Sequence, residues 1–194
     1  MADMADSERE IFCVLRAQSG SHEALNELFG ILQEPLFRYV RSLVRETSYA
    51  EDVLQEVFMR IYRKLKWLRE PRALRPWAYQ IATRESFRFL KREKHWSREV
   101  ADESLEAMAF PTGDRSFPPE LIEEVPDLLE RLSPASRAVI LLYYFHEMSL
   151  SEVATVLEIP IGTVKSRLAY GLTTLRREIQ INASNKNEVK NAQR

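Results

Sequence analysis

The 194-residue chain is long enough for one large or two small domains, and 45% hydrophobic with 29% charged residues excludes a disordered chain. Cys13 is the only cysteine, which excludes an intramolecular disulfide, and we expect a cytoplasmic protein with no signal peptide and no membrane insertion. The net charge of −1 conceals an alternation, because residues 31–98 hold 16 basic and 8 acidic side chains, residues 99–131 hold 2 and 10, and residues 132–194 hold 8 and 5. Two basic blocks around an acidic one favour two nucleic-acid-binding modules. Few glycines and no alternating segments predict an all-α fold.

The first predicted domain covers residues 8–97, which carry an almost continuous helical pattern. Gly20 and Ser21 are placed to cap one helix. The segment Ser48–Glu51 has the form of a capping box, which predicts that the next helix begins there and ends near Leu68. The residues of this second helix that we expect to be buried are Val53, Val57, Ile61 and Leu65.

The outward ridges of that helix are acidic and polar. They carry Glu51, Asp52, Gln55 and Glu56, with Phe58 and Met59 one turn later. No histidine or cysteine completes a ligand set, so the pattern predicts neither a metal site nor acid–base catalysis. A solvated face and a docking surface for a basic partner are both compatible with it.

A basic helix with aromatic residues follows a proline-containing loop at residues 70–76 and is predicted to run from Trp77 to about Trp96. One face is apolar, with Ala78, Ile81, Ala82 and Phe89 expected to point inward. The candidate DNA-binding residues are Trp77, Arg84, Arg88, Lys91 and His95. A basic face beside an aromatic ring suits single-stranded DNA, although packing of the ring under the loop and simple solvation of the cations remain open.

Residues 98–125 are acidic, contain four helix-breaking prolines and glycines, and are predicted to be a flexible linker. Helices resume over residues 126–180, the second predicted domain. The dipeptide Ser133-Pro134 has the form of a helix start. The polar segment 181–194 is predicted to be a disordered tail.

Within the second domain, Ser149–Arg177 has the pattern of a helix-turn-helix. A capping box at Ser149–Glu152 opens the first helix, and a short turn through Pro160 leads to a second helix from about Ile161. The first helix is expected to bury Val153, Ala154 and Leu157, and the second Val164, Leu168, Leu175 and Ile179. The candidate duplex-binding residues are Thr163, Lys165, Ser166, Arg167 and Tyr170. The alternative is a plain helical hairpin without a DNA-binding role.

Three segments together resemble the bacterial extracytoplasmic-function sigma factors of the sigma-70 family, over about residues 8–179. The first segment is AEDVLQEVFMRIYRKL, and the second is RPWAYQIATRESFRFLKREK. The third segment is LSPASRAVILLYYFHEMSLSEVATVLEIPIGTVKSRL. The string Pro160–Arg167 is the most specific match. The chain departs from the family at Arg84, where asparagine is usual, and at Tyr170 and Leu172, where basic residues are usual.

The resemblance implies a sigma region 2 domain and a sigma region 4 domain, with core RNA polymerase, promoter DNA and an anti-sigma factor as partners. The residues that would contact core polymerase are Asp52, Gln55, Glu56 and Phe58. The basic helix and the loop Trp67–Pro76 would hold the melted strand of the −10 element, and the helix-turn-helix would bind the −35 duplex. No catalytic residue and no cofactor is implied.

Two other classes of function remain compatible with parts of the sequence. A helix-turn-helix regulator could bind duplex operators without polymerase, but it would not need the acidic and basic-aromatic helices. An all-α adaptor would leave both basic faces in solvent. An enzyme is disfavoured because His22, His95 and His146 are scattered along the chain and complete no zinc motif.

Overall fold

The computed structural model describes residues 2–93 and 128–192, with side chains over residues 8–93 and 128–181. Within these ranges the chain is helical, has no strand, and forms two compact units that largely follow the two ranges, which confirms the all-α, two-domain prediction. The predicted linker and His95 lie outside the described residues. No described helix is both long and apolar enough to cross a membrane.

The first unit is built from helices joined by short turns. The helices are α1 (Ala2–Gln18), α2 (His22–Val44), α3 (Thr47–Lys64) and α4 (Leu74–Arg92), with 3₁₀ turns at Leu65–Trp67 and Pro71–Ala73.

The core of the first unit lies where the apolar faces of these helices meet. All four residues of the predicted α3 stripe are at most 4% exposed, and the four predicted inward residues of α4 are also buried. A buried hydroxyl pair joins α2 to α4, with Tyr39 Oη 2.7 Å from Thr83 Oγ1, and Thr83 donates to the carbonyl of Tyr79 at 2.8 Å. Helical periodicity therefore predicted the buried faces correctly.

Two predicted helix starts in this unit are wrong by a few residues, whereas the Ser21 cap is confirmed, since its Oγ accepts from the Ala24 amide. Helix α3 begins at Thr47 after Glu46, so Ser48 lies inside the first turn and its hydroxyl donates to the Glu46 carboxylate instead of capping the helix. Helix α4 begins at Leu74 rather than Trp77. Pro76 is accommodated because the first helical turn needs no donor at that position.

The second unit contains α5 (Pro134–Ile140), which continues into a π-helical turn at Leu141–Phe145, then α6 (Leu150–Leu157) and α7 (Ile161–Ala192). Both sequence-predicted starts are confirmed. Ser133 Oγ accepts from the Ser136 amide with Pro134 at the first helical position, and Ser149 with Glu152 forms a complete capping box. Helix α7 continues to Ala192, past residue 180, where the sequence predicts a disordered tail.

Close packing of α5 against α7 holds the second unit together. A Cβ atom at Gly171 would lie 2.7 Å from Cδ1 of Ile140, so any larger residue there would require the Ile140 side chain to shift. Arg137 on α5 is fully buried, and its guanidinium donates to the carbonyls of Leu129 and Leu132 at 2.7 and 2.9 Å. These contacts hold α5 against α7 and tie α5 to the segment that precedes it.

Candidate functional site

An open apolar groove runs along the surface between α2 and α3. It is lined by Phe29, Gln33, Glu51, Leu54, Gln55, Phe58, Met59 and Tyr62. The rings of Phe29 and Phe58 stack in a tilted arrangement with centroids 4.8 Å apart, and Met59 and Tyr62 are 45% and 59% exposed. An exposed apolar groove of this kind is a candidate site for contact with a protein partner.

The four residues predicted to contact core polymerase divide into two pairs in this structure. Gln55 and Phe58 line the groove itself. Asp52 and Glu56 are exposed on the same helix, one turn apart, outside the lining. The surface therefore combines an apolar groove with flanking carboxylates, which suits a partner that presents both apolar and basic side chains.

The sequence interpretation found half of the groove lining and missed the other half, because Phe29 and Gln33 of α2 and Leu54 and Tyr62 of α3 were not selected. Leu54, Phe58 and Tyr62 recur every four residues, beside the deeper stripe. That second apolar row was the available signal, because two adjacent rows give α3 a wider apolar face than burial against the core requires.

The outward face of α4 carries the predicted cations, with Arg84, Arg88 and Lys91 exposed and Trp77 half-buried. Arg88 is engaged in an ion pair with the buried carboxylate of Glu85, at 2.8 Å between Nη1 and Oε2. Arg60 of α3 pairs with the same carboxylate at 2.6 Å. Glu85 therefore fixes the position of two cations at the edge of the face.

The turn before α4 exposes a second ring. Trp67 is 65% exposed, and the Lys66 ammonium lies 4.2 Å from the centroid of its ring. Arg69 and Arg72 are also exposed in the same connection. A nucleobase can stack on an accessible indole of this kind while the neighbouring cations neutralise phosphates of the same strand.

The turn of the helix-turn-helix is shaped by one left-handed residue. Glu158 ends α6 with φ 56° and ψ 41°, and the Ile159 amide donates to the carbonyl of Ala154 at 3.1 Å. The Pro160 carbonyl then accepts from the Thr163 and Val164 amides at 2.9 and 3.1 Å, which starts α7. The turn therefore ends one helix and begins the next within three residues.

The predicted duplex-binding residues lie along the first two and a half turns of α7. Lys165 is exposed, whereas Thr163, Ser166, Arg167 and Tyr170 are half-buried. Ser166 donates to the Thr163 carbonyl at 3.1 Å, and Nε of Arg167 is buried without a hydrogen-bond partner among the described residues. The row offers hydroxyl and cationic groups at the helix end that enters a groove in this motif.

The inward faces of this motif are close to the predicted ones, with corrections. Val164, Leu168 and Leu175 are buried, but Ile179 is half-buried. In α6, Val153 and Val156 are buried, whereas Ala154 and Leu157 are half-buried. The buried pair lies three residues apart and packs inward as one ridge.

Leu172 explains one departure from the family pattern. Its side chain is 2% exposed and packs in the core of the second unit. A cation at this position would have to be buried. The position therefore serves packing in this chain rather than contact with phosphate.

The titratable and nucleophilic side chains outside these surfaces, within residues 8–93 and 128–181, are the remaining candidates for metal binding or catalysis. Among the residues that the structure describes, no three histidine, cysteine or acidic side chains are grouped to hold a metal ion. Cys13 is buried, and burial raises the pKa of its thiol, which disfavours the thiolate form.

Comparison with known protein families gives two matches in chain order. Residues 28–95 match the family model of sigma-70 region 2, and residues 128–177 match that of sigma-70 region 4. The first matched range contains the groove and α4, and the second contains the helix-turn-helix.

Relatives of known identity match over most of the chain. The ECF RNA polymerase sigma factor SigW of Bacillus subtilis is 27% identical over 86% of this chain and 95% of its own length. The ECF RNA polymerase sigma factor SigL of Mycobacterium tuberculosis is 32% identical over 75% of this chain and 82% of its own length.

Solved structures share the fold. CnrH, in complex with the cytosolic domain of CnrY, aligns with a TM-score of 0.64 at 21% identity, covering 89% of this chain and 98% of CnrH. The sigma factor RpoE of Bartonella quintana, in complex with the anti-sigma factor NepR, aligns with a TM-score of 0.62 at 19% identity, covering 80% and 96%.

Proposed function

This chain belongs to the sigma-70 family of RNA polymerase sigma factors, in its extracytoplasmic-function group, and we propose that it directs core polymerase to promoters through three separate surfaces. The α2–α3 groove binds core polymerase, α4 with the turn before it holds the melted −10 strand, and α7 binds the −35 duplex. The observation that carries this proposal is that one chain presents all three surfaces, each with the chemistry of a different ligand.

The docking step follows from the groove. The partner's apolar side chains would enter between Phe58 and Tyr62, and its cations would meet Asp52 and Glu56 at the rim. Apolar contacts supply most of the affinity of such an interface, and the rim charges supply orientation and a faster encounter. Gln55, inside the groove, would exchange its hydrogen bonds with water for hydrogen bonds with the partner.

The DNA steps follow from the two basic surfaces. Arg84, Arg88 and Lys91 would neutralise phosphates of the opened strand, with Trp77 beside them. His95 is included from its place in the matched region alone. Thr163, Lys165, Ser166, Arg167 and Tyr170 would contact the −35 duplex, with α7 in its major groove. The segment 98–125 would tether the two readers, so that binding of one raises the effective concentration of the other.

On this proposal the protein is not an enzyme, because polymerase performs the chemistry and the sigma factor contributes binding energy for opening the duplex. It would act in the cytoplasm, where polymerase and DNA are. An anti-sigma factor is the expected regulator, by analogy with the NepR complex of the Bartonella quintana protein.

The decisive experiment is in vitro transcription with purified core polymerase on a library of promoters, combined with a binding assay for core. We expect promoter-specific initiation by the wild type. Asp52→Ala with Gln55→Ala should weaken affinity for core by about tenfold or more, because interface residues of this kind each contribute about 1 kcal/mol.

A matched control removes two exposed polar side chains of the same unit that do not line the groove. Glu8→Ala with Glu93→Ala deletes one carboxylate on α1 and one just after α4, and should leave core affinity unchanged. Equal weakening by both double variants would refute the docking assignment. Tight duplex binding without any initiation would instead favour an operator-binding regulator.

A further inference from the structure

Helix α1 contacts both ends of the connection between α3 and α4, and the contact at the start of the connection is made by Gln18. The side-chain amide of Gln18 donates to two backbone carbonyls, that of Leu65 at 2.9 Å and that of Leu68 at 2.8 Å. Leu65 and Leu68 are buried, whereas Lys66 and Trp67 between them are exposed. One amide therefore fastens both sides of the turn that projects the indole into solvent.

The other end of the same connection is held by an ion pair with α1. Arg75, in the first turn of α4, donates to the carboxylate of Glu10, with Nε 3.0 and 3.1 Å from its two oxygens and Nη2 also in contact. The Glu10 side chain is 10% exposed, whereas that of Arg75 is 55% exposed. Glu10 therefore anchors α4 two residues before Trp77.

We propose that Gln18 and Glu10 form a brace, and that this brace positions the turn at Lys66–Trp67 and the start of α4 to hold an unstacked nucleobase of the melted strand. The inference rests on the proposed function of this region and adds two residues of α1 to it. Neither residue touches DNA in this scheme. Both act as positioning residues through the backbone of the turn and through Arg75.

The physical reason is the cost of ordering the turn. A connection of nine residues between two helices samples many conformations, and a base that binds to it would have to select one of them. Hydrogen bonds that fix the turn before binding remove that loss from the binding step. Because backbone carbonyls accept the Gln18 bonds, the brace depends on the shape of the turn rather than on its side chains.

The test uses holoenzyme and a promoter duplex that it transcribes, prepared intact and with one abasic residue at successive nontemplate positions of the −10 element. Open-complex formation is measured by permanganate reactivity of thymines. Gln18→Leu, which removes both donors at similar size, should reduce open complexes on the intact promoter by about threefold to tenfold, the range expected for lost neutral hydrogen bonds. At one abasic position the wild type should itself be impaired, and Gln18→Leu should cause no further loss.

Matched variants separate positioning from stability. Glu10→Gln should give the same pattern from the other end of the connection. Glu8→Gln, which neutralises an exposed carboxylate on α1, should match the wild type on every template. Core affinity of each variant reports whether its first unit is folded, and it should be unchanged.

Two outcomes would overturn the brace while leaving the proposed function intact. One is an equal loss by Gln18→Leu and Glu10→Gln on every template, abasic or intact, which is the signature of a merely structural role. The other is a wild type that initiates normally but is indifferent to every abasic position. A wild type that never initiates would instead overturn the proposed function, and the brace with it.

Discussion

Arg137 ties the start of α5 to the segment that precedes it. It is fully buried, and its guanidinium serves the carbonyls that lead into α5. A buried guanidinium offers several donors in one plane, so a single side chain can satisfy carbonyls that would otherwise be unpaired. The residue therefore has a structural role, although a lone arginine in a DNA-binding region would first be interpreted as a phosphate contact.

Replacement of Arg137 should destabilise the second unit. We expect Arg137→Met to lower its free energy of unfolding by about 3 kcal/mol, because buried carbonyls lose their donors. Urea denaturation followed by circular dichroism measures this change. The exposed Arg131→Met is the matched control and should change it by less than about 0.5 kcal/mol. Equal effects would show that the buried bonds contribute nothing.

Because Tyr39 is buried, we expect the stability of the first unit to fall at alkaline pH. Burial raises the pKa of Tyr39 well above its ordinary value, and burial does the same for Tyr79. The folded chain therefore keeps protons that the unfolded chain releases above about pH 10. The resulting stability is fully present below that pH and falls as the pH rises through it.

Thermal melting between about pH 8 and pH 11 tests this prediction, since the ordinary tyrosine pKa of about 10 lies in that range. The melting temperature of the first unit should fall above about pH 10, and Tyr39→Phe should make the fall shallower. Tyr62→Phe is the control, because Tyr62 is 59% exposed, and it should leave the pH profile unchanged. A profile insensitive to Tyr39→Phe would contradict the assignment.

At the scale of the element, two identical sequence patterns have different outcomes. Both Ser48–Glu51 and Ser149–Glu152 have the form of a capping box. Only the second is formed, with Ser149 Oγ accepting from the Glu152 amide at 3.2 Å and Glu152 accepting from the Ser149 amide at 2.8 Å. The first is displaced because α3 already starts at Thr47.

Alanine substitution should separate the two patterns. Ser149→Ala should lower the free energy of unfolding of the second unit by about 1 kcal/mol, the usual cost of a lost N-cap. Ser48→Ala, which removes no cap, should have almost no effect on the first unit. Thermal unfolding of the two variants gives both values, and similar losses in the two would mean that the Ser48 box forms in solution.

Substitutions at Gly171 test how closely α5 and α7 are packed. Gly171→Ala should destabilise the second unit by about 1–3 kcal/mol, because the new methyl group meets buried Ile140. Adding Ile140→Val removes the opposing Cδ1 atom and should recover part of that loss. Gly162→Ala, with no atom within 4 Å of its Cβ, should be neutral or stabilise by up to about 1 kcal/mol. Thermal unfolding of all three variants measures these effects, and a double variant no more stable than Gly171→Ala would exclude the clash with Ile140.

At the scale of the whole molecule, the basic side chains are concentrated in particular segments, so the net charge says little about DNA binding. A net charge of −1 gives no general attraction to DNA, so binding depends on where the cations lie. Each cation that neutralises a phosphate releases counterions and makes the affinity salt-dependent. On the proposed function, the two units should therefore have separate salt responses toward duplex and single-stranded DNA.

The salt dependence of −35 duplex binding tests this arrangement in the full-length protein. Lys165→Ala should weaken binding and reduce the slope of log affinity against log salt by about 0.9, the value for one phosphate contact. Lys64→Ala removes the same charge from an exposed position of the first unit and should leave the slope unchanged. Equal slopes for both variants would mean that only the total charge matters.

Some features of this protein were predictable because they are local. Helical spacing along one element predicted the buried rows Val53–Leu65 and Val164–Leu175, and turn chemistry predicted the starts at Ser133 and Ser149. The motifs at Pro160–Arg167 and Asp52–Phe58 indicated the family in the same way. The assignment of these residues to contacts with polymerase and with DNA stays a prediction.

The sequence by itself therefore determined the all-α class and most of the buried faces, because each of these repeats within a single helix. Only the tertiary structure decided which helices meet. It joined Phe29 to Phe58 in a groove, gave the buried Glu85 two cationic partners, and brought Gln18 to a turn nearly fifty residues away. The physical reason is that contacts between elements depend on the angle and offset at which helices cross, and these follow from the packing of whole faces rather than from the period of any one of them.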